Sequence, residues 1–145
     1  MEWREVSSGS FINVDYEIWE YGGEHVSILR MRGPISRGHR IEFYQITLKN
    51  NPSSDYFIIL DNQLGYEDDF PYDDMVMVSD MFLAAGIKRV YGAIVTTEIG
   101  YETILKLARA VAGMKTLEIY TMRVGSLPEA KDFIISRIDD TADSR

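Results

Sequence analysis

The chain of 145 residues contains no cysteine and only two histidines. Without cysteine, a disulfide framework, a thiol nucleophile and a thiolate metal site are all excluded. The histidines, His25 and His39, do not form a His-x-x-x-His or His-Glu pair with the spacing that zinc requires. No apolar run approaches the roughly 20 residues of a membrane span. The sequence therefore predicts a protein without a zinc centre and without membrane insertion.

Positive charge is also scarce, because 15 Lys and Arg face 23 Asp and Glu, which gives a net charge of −8 and a pI near 4.7. Nucleic acids and anionic membranes both bind clustered Lys and Arg. We therefore expect no nucleic-acid partner. The first five residues lack the basic and then apolar order of a signal peptide, so we expect a cytoplasmic location.

The hydrophobic fraction of 46% and the charged fraction of 26% are typical of one globular domain, here residues 1–145. From Ser10 to Tyr21 apolar and polar residues alternate, with Ile12 and Val14 on the buried side. Gly22-Gly23 then provides a turn, and residues 25–31 form a second apolar strand. These segments predict an N-terminal β-hairpin.

Residues 36–50 fit two structures. Ile41, Tyr44 and Leu48 have the spacing of a helical stripe, whereas the apolar clusters at 41–43 and 46–48 also suit a strand. Ser36 as an N-cap and the closing Asn-Asn-Pro sequence at 50–52 favour the helix. The sequence alone leaves both possibilities open.

The rest of the chain alternates between strand and helix signals. The predicted elements are a strand at 56–60, a helix from Asp73 or Asp74 to Ala85, a strand at 89–96, a helix at 98–114, a strand at 117–124 and a helix at 126–138. Residues 139–145 are predicted to be a frayed polar tail. The fold class is therefore α/β, with a five-stranded mixed, mostly parallel sheet, an N-terminal β-hairpin and about four flanking helices.

The loop that follows the strand at 57–60 contains no serine, threonine, cysteine or histidine between Asp61 and Asp74. It contains five clustered carboxylates, which are Glu67, Asp68, Asp69, Asp73 and Asp74. Such oxygens suit Mg²⁺ or Ca²⁺, but the spacing matches no calcium loop, and Asp73 or Asp74 can cap the following helix. We expect no metal and no cofactor here.

Ligands of open α/β sheets bind beyond the carboxyl ends of the parallel strands. Asp61 at a strand end suits a turn better than a phosphoacceptor, and Thr96 or Thr97 can cap the long helix. Tyr66, Phe70 and Tyr72 either form a contact surface or fold back over the sheet. The predicted ligand or partner surface consists of Asp61, Asn62, Tyr66, Asp69, Phe70, Tyr72, Asp73, Thr96 and Thr97.

Several segments together resemble the STAS-like domains, the fold of anti-sigma-factor antagonists and of the cytoplasmic tails of sulphate transporters. They are a strand closed by Gly33 before a helix, the strand Phe57–Asp61, a helix closed by Ala85-Gly86, and a last helix that opens with Ser126-Leu127-Pro128-Glu129. The chain is most similar to the branch of small stand-alone bacterial proteins of unassigned function. The resemblance implies a regulatory, protein-binding domain.

One difference from that family concerns its phosphorylation site. In the antagonists, a serine near the start of the helix after the Asp-ended strand is phosphorylated, whereas this chain has Asp69-Phe70-Pro71-Tyr72 or Asp73-Asp74 there. The chain is therefore expected to lack serine-controlled partner switching. The sequence favours a non-catalytic module that binds a protein, itself or a small ligand. The alternative is a small enzyme that uses the acidic loop at 67–74 for acid/base or metal-assisted chemistry.

Overall fold

The computed structural model describes residues 2–66, 70–98 and 100–143, and in these residues the chain forms six strands and four α-helices. The strands are β1 (Arg4–Phe11), β2 (Val14–Tyr21), β3 (Glu24–Met31), β4 (Asp55–Asp61), β5 (Arg89–Val95) and β6 (Glu118–Val124). The helices are α1 (Arg37–Leu48), α2 (Tyr72–Ala84), α3 (Tyr101–Gly113) and α4 (Leu127–Asp143).

All six strands form one sheet in the order β1-β2-β3-β4-β5-β6. The pairs β1-β2 and β2-β3 are antiparallel, and the strands β3 to β6 are parallel to one another. The prediction of an α/β fold with a mixed sheet and four helices is confirmed. The predicted number of five strands is wrong, because the N-terminal region contributes two hairpins rather than one.

The additional strand is β1, which pairs with β2 through a loop of two residues, Ile12 and Asn13. Asn13 has a φ of 69°, a turn conformation that Asn tolerates, so the predicted strand from Ser10 to Tyr21 is divided there. Ile12, predicted to face the core, is 76% exposed at the loop tip. Because β1 is rich in serine and largely exposed, it has none of the apolar alternation that would have indicated a strand.

Residues 36–50 contain a helix, α1, which resolves the ambiguity of the sequence. Ser36 is the N-cap, since its Oγ accepts a bond from His39 N at 3.4 Å and His39 Nδ1 accepts one from Ser36 N at 3.0 Å. Tyr44 is buried as predicted, together with Arg40, Phe43 and Thr47, whereas Ile41 and Leu48 are only partly buried.

The other helices differ from the predictions mainly at their ends. Pro71, and not Asp73 or Asp74, is the N-cap of α2, and it makes no side-chain capping bond. Helix α3 begins at Tyr101 rather than at 98, after the N-cap Gly100. Ser126 Oγ accepts a bond from Glu129 N at 3.3 Å before α4, which continues to Asp143 and so includes residues 139–143.

The helices cover the two faces of the sheet unequally. Helices α1, α2 and α3 lie on one face, the three-helix face, where Tyr44, Ile58 and Phe82 belong to the core. Helix α4 lies on the other face, the α4 face, with Phe57, Ile59 and Ile134. Successive residues of β4 therefore alternate between two buried layers, which explains why its sequence is continuously apolar.

Tyr56 gives the three-helix face a pH-dependent component of stability. Its buried hydroxyl lies 2.6 Å from Thr47 Oγ1, and burial raises the pKa of Tyr56 above its ordinary value of 10.0. The unfolded chain therefore ionises at lower pH than the folded one. This contribution is complete below about pH 10 and falls by about 1.4 kcal/mol per pH unit above it.

We expect Tyr56→Phe to remove that alkaline component and to cost about 1 kcal/mol at neutral pH through the lost hydrogen bond. Urea unfolding of the wild type and the variant at neutral pH and at two values above about pH 10 measures both effects. Equal losses of stability in the two proteins at alkaline pH would contradict the assignment to Tyr56.

Candidate functional site

The carboxyl ends of the four parallel strands lie at one edge of the sheet, which we call the carboxyl edge. It carries the loops that follow β3, β4, β5 and β6. Since the strand order is sequential in the described chain, the crevice that forms where strand order reverses is missing here. Any site at the carboxyl edge must therefore be built by the loops and the helix starts.

Asp61 ends β4 as a buried, fully engaged carboxylate. Its Oδ2 accepts a bond from Arg30 Nε at 3.0 Å, and its Oδ1 accepts bonds from Gln63 Nε2 at 2.8 Å and from Gln63 N at 3.4 Å. Asn62, also buried, extends the ladder by donating its N–H to Val95 O at 2.9 Å. Asp61 thus holds the turn that begins the loop, as the turn interpretation of the sequence expected.

Asp74, in the first turn of α2, lies between two arginines of α1. Its Oδ1 accepts a bond from Arg37 Nε at 2.6 Å and its Oδ2 accepts one from Arg40 Nη1 at 2.8 Å. Arg40 and Asp74 are almost completely buried, with side-chain exposures of 2% and 5%, whereas Arg37 is half exposed. The predicted capping role of Asp74 is therefore wrong, because its carboxylate binds α2 to α1.

The three aromatic residues of the loop have different environments. Phe70 packs against the three-helix core, and the Arg40 guanidinium lies 4.4 Å from the centre of its ring. Tyr66 and Tyr72 are 39% and 53% exposed. Leu64, which the sequence did not single out, is 67% exposed in the same loop. Phe70 therefore folds back over the sheet, whereas Tyr66 and Tyr72 are exposed and free to form a contact surface. Each of the two interpretations that the sequence left open applies to part of the loop.

Thr96 and Thr97 lie after β5. Thr96 is buried and its Oγ1 accepts a bond from Glu98 N at 3.1 Å, while Thr97 is exposed. Neither caps α3, because the N-cap is Gly100 and makes no side-chain capping bond. The predicted capping role is wrong because the helix begins three residues beyond the predicted start at 98.

The two buried carboxylates of the carboxyl edge do not share a pocket. Asp61 continues the alternation of Phe57 and Ile59 and so points to the α4 face, whereas Asp74 faces α1 on the three-helix face. Asp73 is exposed, and Asp69, with Glu67 and Asp68, falls outside the described residues. In the described ranges no group of three His, Asp or Glu side chains could hold a metal ion.

The arginines of this edge are residues that the sequence interpretation missed. Arg30, Arg37 and Arg40 neutralise the two buried carboxylates over sequence separations of 31, 37 and 34 residues. Only the spacing of Arg37 and Arg40, which are neighbours on one helix surface, hinted at a common partner. That spacing does not identify the partner.

No protein-family model matches the sequence, and no curated protein is significantly similar to it. None of the helices in the part of the chain that the structure describes has the length and hydropathy needed to cross a bilayer. The function of the chain is therefore inferred from its geometry.

Proposed function

We propose that this chain is a non-catalytic regulatory module that binds a protein, either a basic partner or a second copy of itself, through Leu64, Tyr66 and Tyr72. We call these three residues the loop surface. The observation that carries the proposal is that the rings of Tyr66 and Tyr72 are 39% and 53% exposed on either side of the anchored Phe70. Tyrosine is enriched in protein interfaces because it combines a large apolar ring with a polar hydroxyl.

The rigid base beneath the loop surface supports a binding role. Asp61 and Gln63 fix the start of the loop, and the Arg40–Phe70 contact and the Asp74 ion pairs fix its end. Tyrosine has few rotatable bonds, so it supplies contact area at a small cost in conformational entropy. The described ends of the loop are thus anchored before a partner binds.

The charges around the loop surface support a partner with basic groups. The chain has a net charge of −8, Asp73 is exposed beside Tyr72, and residues 67–69 of the same loop are all acidic in sequence. Complementary charge mainly accelerates association and weakens as salt rises. Binding of a basic partner through the loop surface is therefore expected to be faster at low ionic strength.

The enzyme alternative has less support. A pair of carboxylates used for acid/base chemistry would share a site with separated pKa values. Asp61 and Asp74 instead point to opposite faces and are each bound by arginine. We therefore assign no catalytic residue.

We also propose that the fold is STAS-like. The three consecutive β–α units from β3 to β6, with their helices on one face, and the final helix that opens at Ser126 support this proposal. Regulation by serine phosphorylation in the loop at 61–74 is not part of it, since the loop has no serine or threonine.

The test compares a double change on the loop surface with a change at its base. We expect Tyr66→Ala with Tyr72→Ala to abolish self-association in sedimentation velocity while the melting temperature stays within the small range of surface substitutions. Phe70→Ala is the matched variant, and it should lower stability by about 2–4 kcal/mol because it removes a ring from the core and from Arg40.

If the wild type stays monomeric at high concentration, a second copy is excluded as the partner. The proposal then requires that Tyr66→Ala with Tyr72→Ala abolishes the binding of a basic protein partner. If the double variant self-associates and binds a basic protein partner as strongly as the wild type, the loop surface is excluded as the binding site.

A further inference from the structure

A pocket of about 330 Å³ opens between the C-terminal end of α1 and the strands β1, β2 and β3. We call it the α1 pocket. Its volume is more than twice that of the roughly 150 Å³ cavity that holds one benzene ring, and it lies in the usual range of small-molecule sites. His25 lies at the start of β3 and Lys49 follows the end of α1, so the α1 pocket is at the opposite edge of the sheet from the loop surface.

A β-bulge in β1 shapes one wall of the α1 pocket. The β1–β2 register shifts between Glu5 and Ser7, so Val6 has no partner in β2. Bulges at sheet edges change the direction of side chains and often lie beside functional sites. Val6 and Ser7 both line the pocket, and Val6 is 47% exposed although it is apolar. The irregular pairing of this edge strand therefore presents an apolar side chain to the pocket.

The rest of the apolar lining comes from β2 and α1. Ile18 of β2 and Ile46 of α1 line the pocket together with Val6. Ile18 is 6% exposed and Ile46 is partly buried. A ligand that covers these side chains removes apolar surface from water, which favours binding. The apolar lining thus suits a ligand body of one ring or about six carbon atoms.

The polar lining of the pocket supplies hydrogen-bond donors and, among the described residues, no carboxylate. Lys49 and His25 line it, and in the described chain neither side chain has an ion pair or a hydrogen bond. Glu20, which lies opposite His25 in the β2–β3 pair, is bound by Arg4 at 2.8 Å, so its charge is already matched. Lys49 also carries a full positive charge, which exceeds the partial negative charge of about half a unit at a helix C-terminus. The polar lining therefore favours an anionic head group that accepts hydrogen bonds.

We propose that the α1 pocket binds a small amphiphilic carboxylate, with its apolar body on Ile18 and Ile46 and its carboxylate beside Lys49 and His25. Small-molecule sites combine such an apolar lining with a few polar groups that fix the orientation of the ligand. The α1 pocket shares no residue with the loop surface. The proposal therefore goes beyond the proposed protein-binding function and does not depend on it.

The test uses hexanoate and cyclohexanecarboxylate as probes, with hexanamide and cyclohexanecarboxamide as their uncharged counterparts. In the wild type the carboxylates should shift the methyl NMR signals of Val6, Ile18 and Ile46 and bind about fivefold more tightly than the amides. Lys49→Gln should remove most of that preference and leave the affinity for the amides unchanged. Lys106→Gln, which changes an exposed lysine of α3, should alter neither the preference nor the affinities.

Val6→Ser tests the apolar wall and should weaken all four probes by about fourfold, the effect of losing contact with about one methylene group. Its control is Ile12→Ser, since Ile12 is 76% exposed at the loop tip and does not line the pocket. Both changes are at exposed positions, so both variants should fold. Three results would overturn the proposal: no methyl shifts at saturating carboxylate, equal affinity of the wild type for each carboxylate and its amide, or a carboxylate preference that Lys49→Gln leaves unchanged.

Discussion

Asp74→Ala is expected to lower the free energy of unfolding by about 3–5 kcal/mol, the usual effect of removing one member of a buried ion pair. The carboxylate is 5% exposed and binds Arg40, which is 2% exposed, at 2.8 Å. Without it, the guanidiniums of Arg37 and Arg40 face each other with no negative charge between them, and α1 loses its polar link to α2. Urea unfolding measures the loss.

Asp73→Ala provides the matched control, since Asp73 is the preceding residue of the same helix turn and is exposed. We expect this change to stay within about 0.5 kcal/mol of the wild type. A second variant, Asp74→Asn, keeps the shape of the side chain and removes its charge. It should show most of the decrease in unfolding free energy that Asp74→Ala shows. If Asp73→Ala and Asp74→Ala were equally mild, the ion-pair cluster would not stabilise the packing of α2 on α1.

The ion-pair cluster also shows where sequence reasoning reaches its limit. Two adjacent aspartates at a predicted helix start suggest capping, because local rules relate each residue to neighbours within one turn. In the structure Asp73 is exposed and Asp74 finds partners 37 and 34 residues away. A single sequence does not show which of two adjacent aspartates, Asp73 or Asp74, will pair with an arginine that is distant in the chain.

Elements with a strong hydrophobic pattern were predicted well, and elements held by backbone pairing alone were not. The strand at 56–60 and the strand at 89–96 are buried on both faces, so their apolar runs are direct evidence of β4 and β5. Strand β1 is held by its ladder with β2 and is mostly exposed. Its polar sequence gives no such evidence, which is why a sheet of five strands was expected.

The candidate site was predicted as a region rather than as a geometry. The turn role of Asp61 and the exposure of Tyr66 and Tyr72 agree with the sequence interpretation. A cavity of about 80 Å³ between α2 and α3 could not be predicted, because it depends on how these helices pack on the sheet. That packing joins residues that are distant in sequence, and no local pattern encodes it.

The α4 face, in contrast, is expected to be the tightly packed side of the sheet. Ala130, Ile134 and Ile138 recur every four residues along α4 and are at most 2% exposed, so they form one continuous apolar stripe. This stripe packs on Phe57 and Ile59 of the central strand β4. In the described chain α4 is the one helix on this face, so no second helix can compensate for a gap beneath it.

Ile134→Ala should therefore cost about 3–5 kcal/mol, near the upper part of the range for buried aliphatic truncations, because a rigid sheet and a single helix cannot collapse into the space. Leu105→Ala on the three-helix face is the informative comparison. Leu105 is also buried but borders the existing cavity, so fewer contacts are lost and the expected cost is about 2–3 kcal/mol. Urea unfolding of both variants measures the difference. A smaller loss for Ile134→Ala than for Leu105→Ala would mean that the α4 face, and not the cavity face, is the loosely packed one.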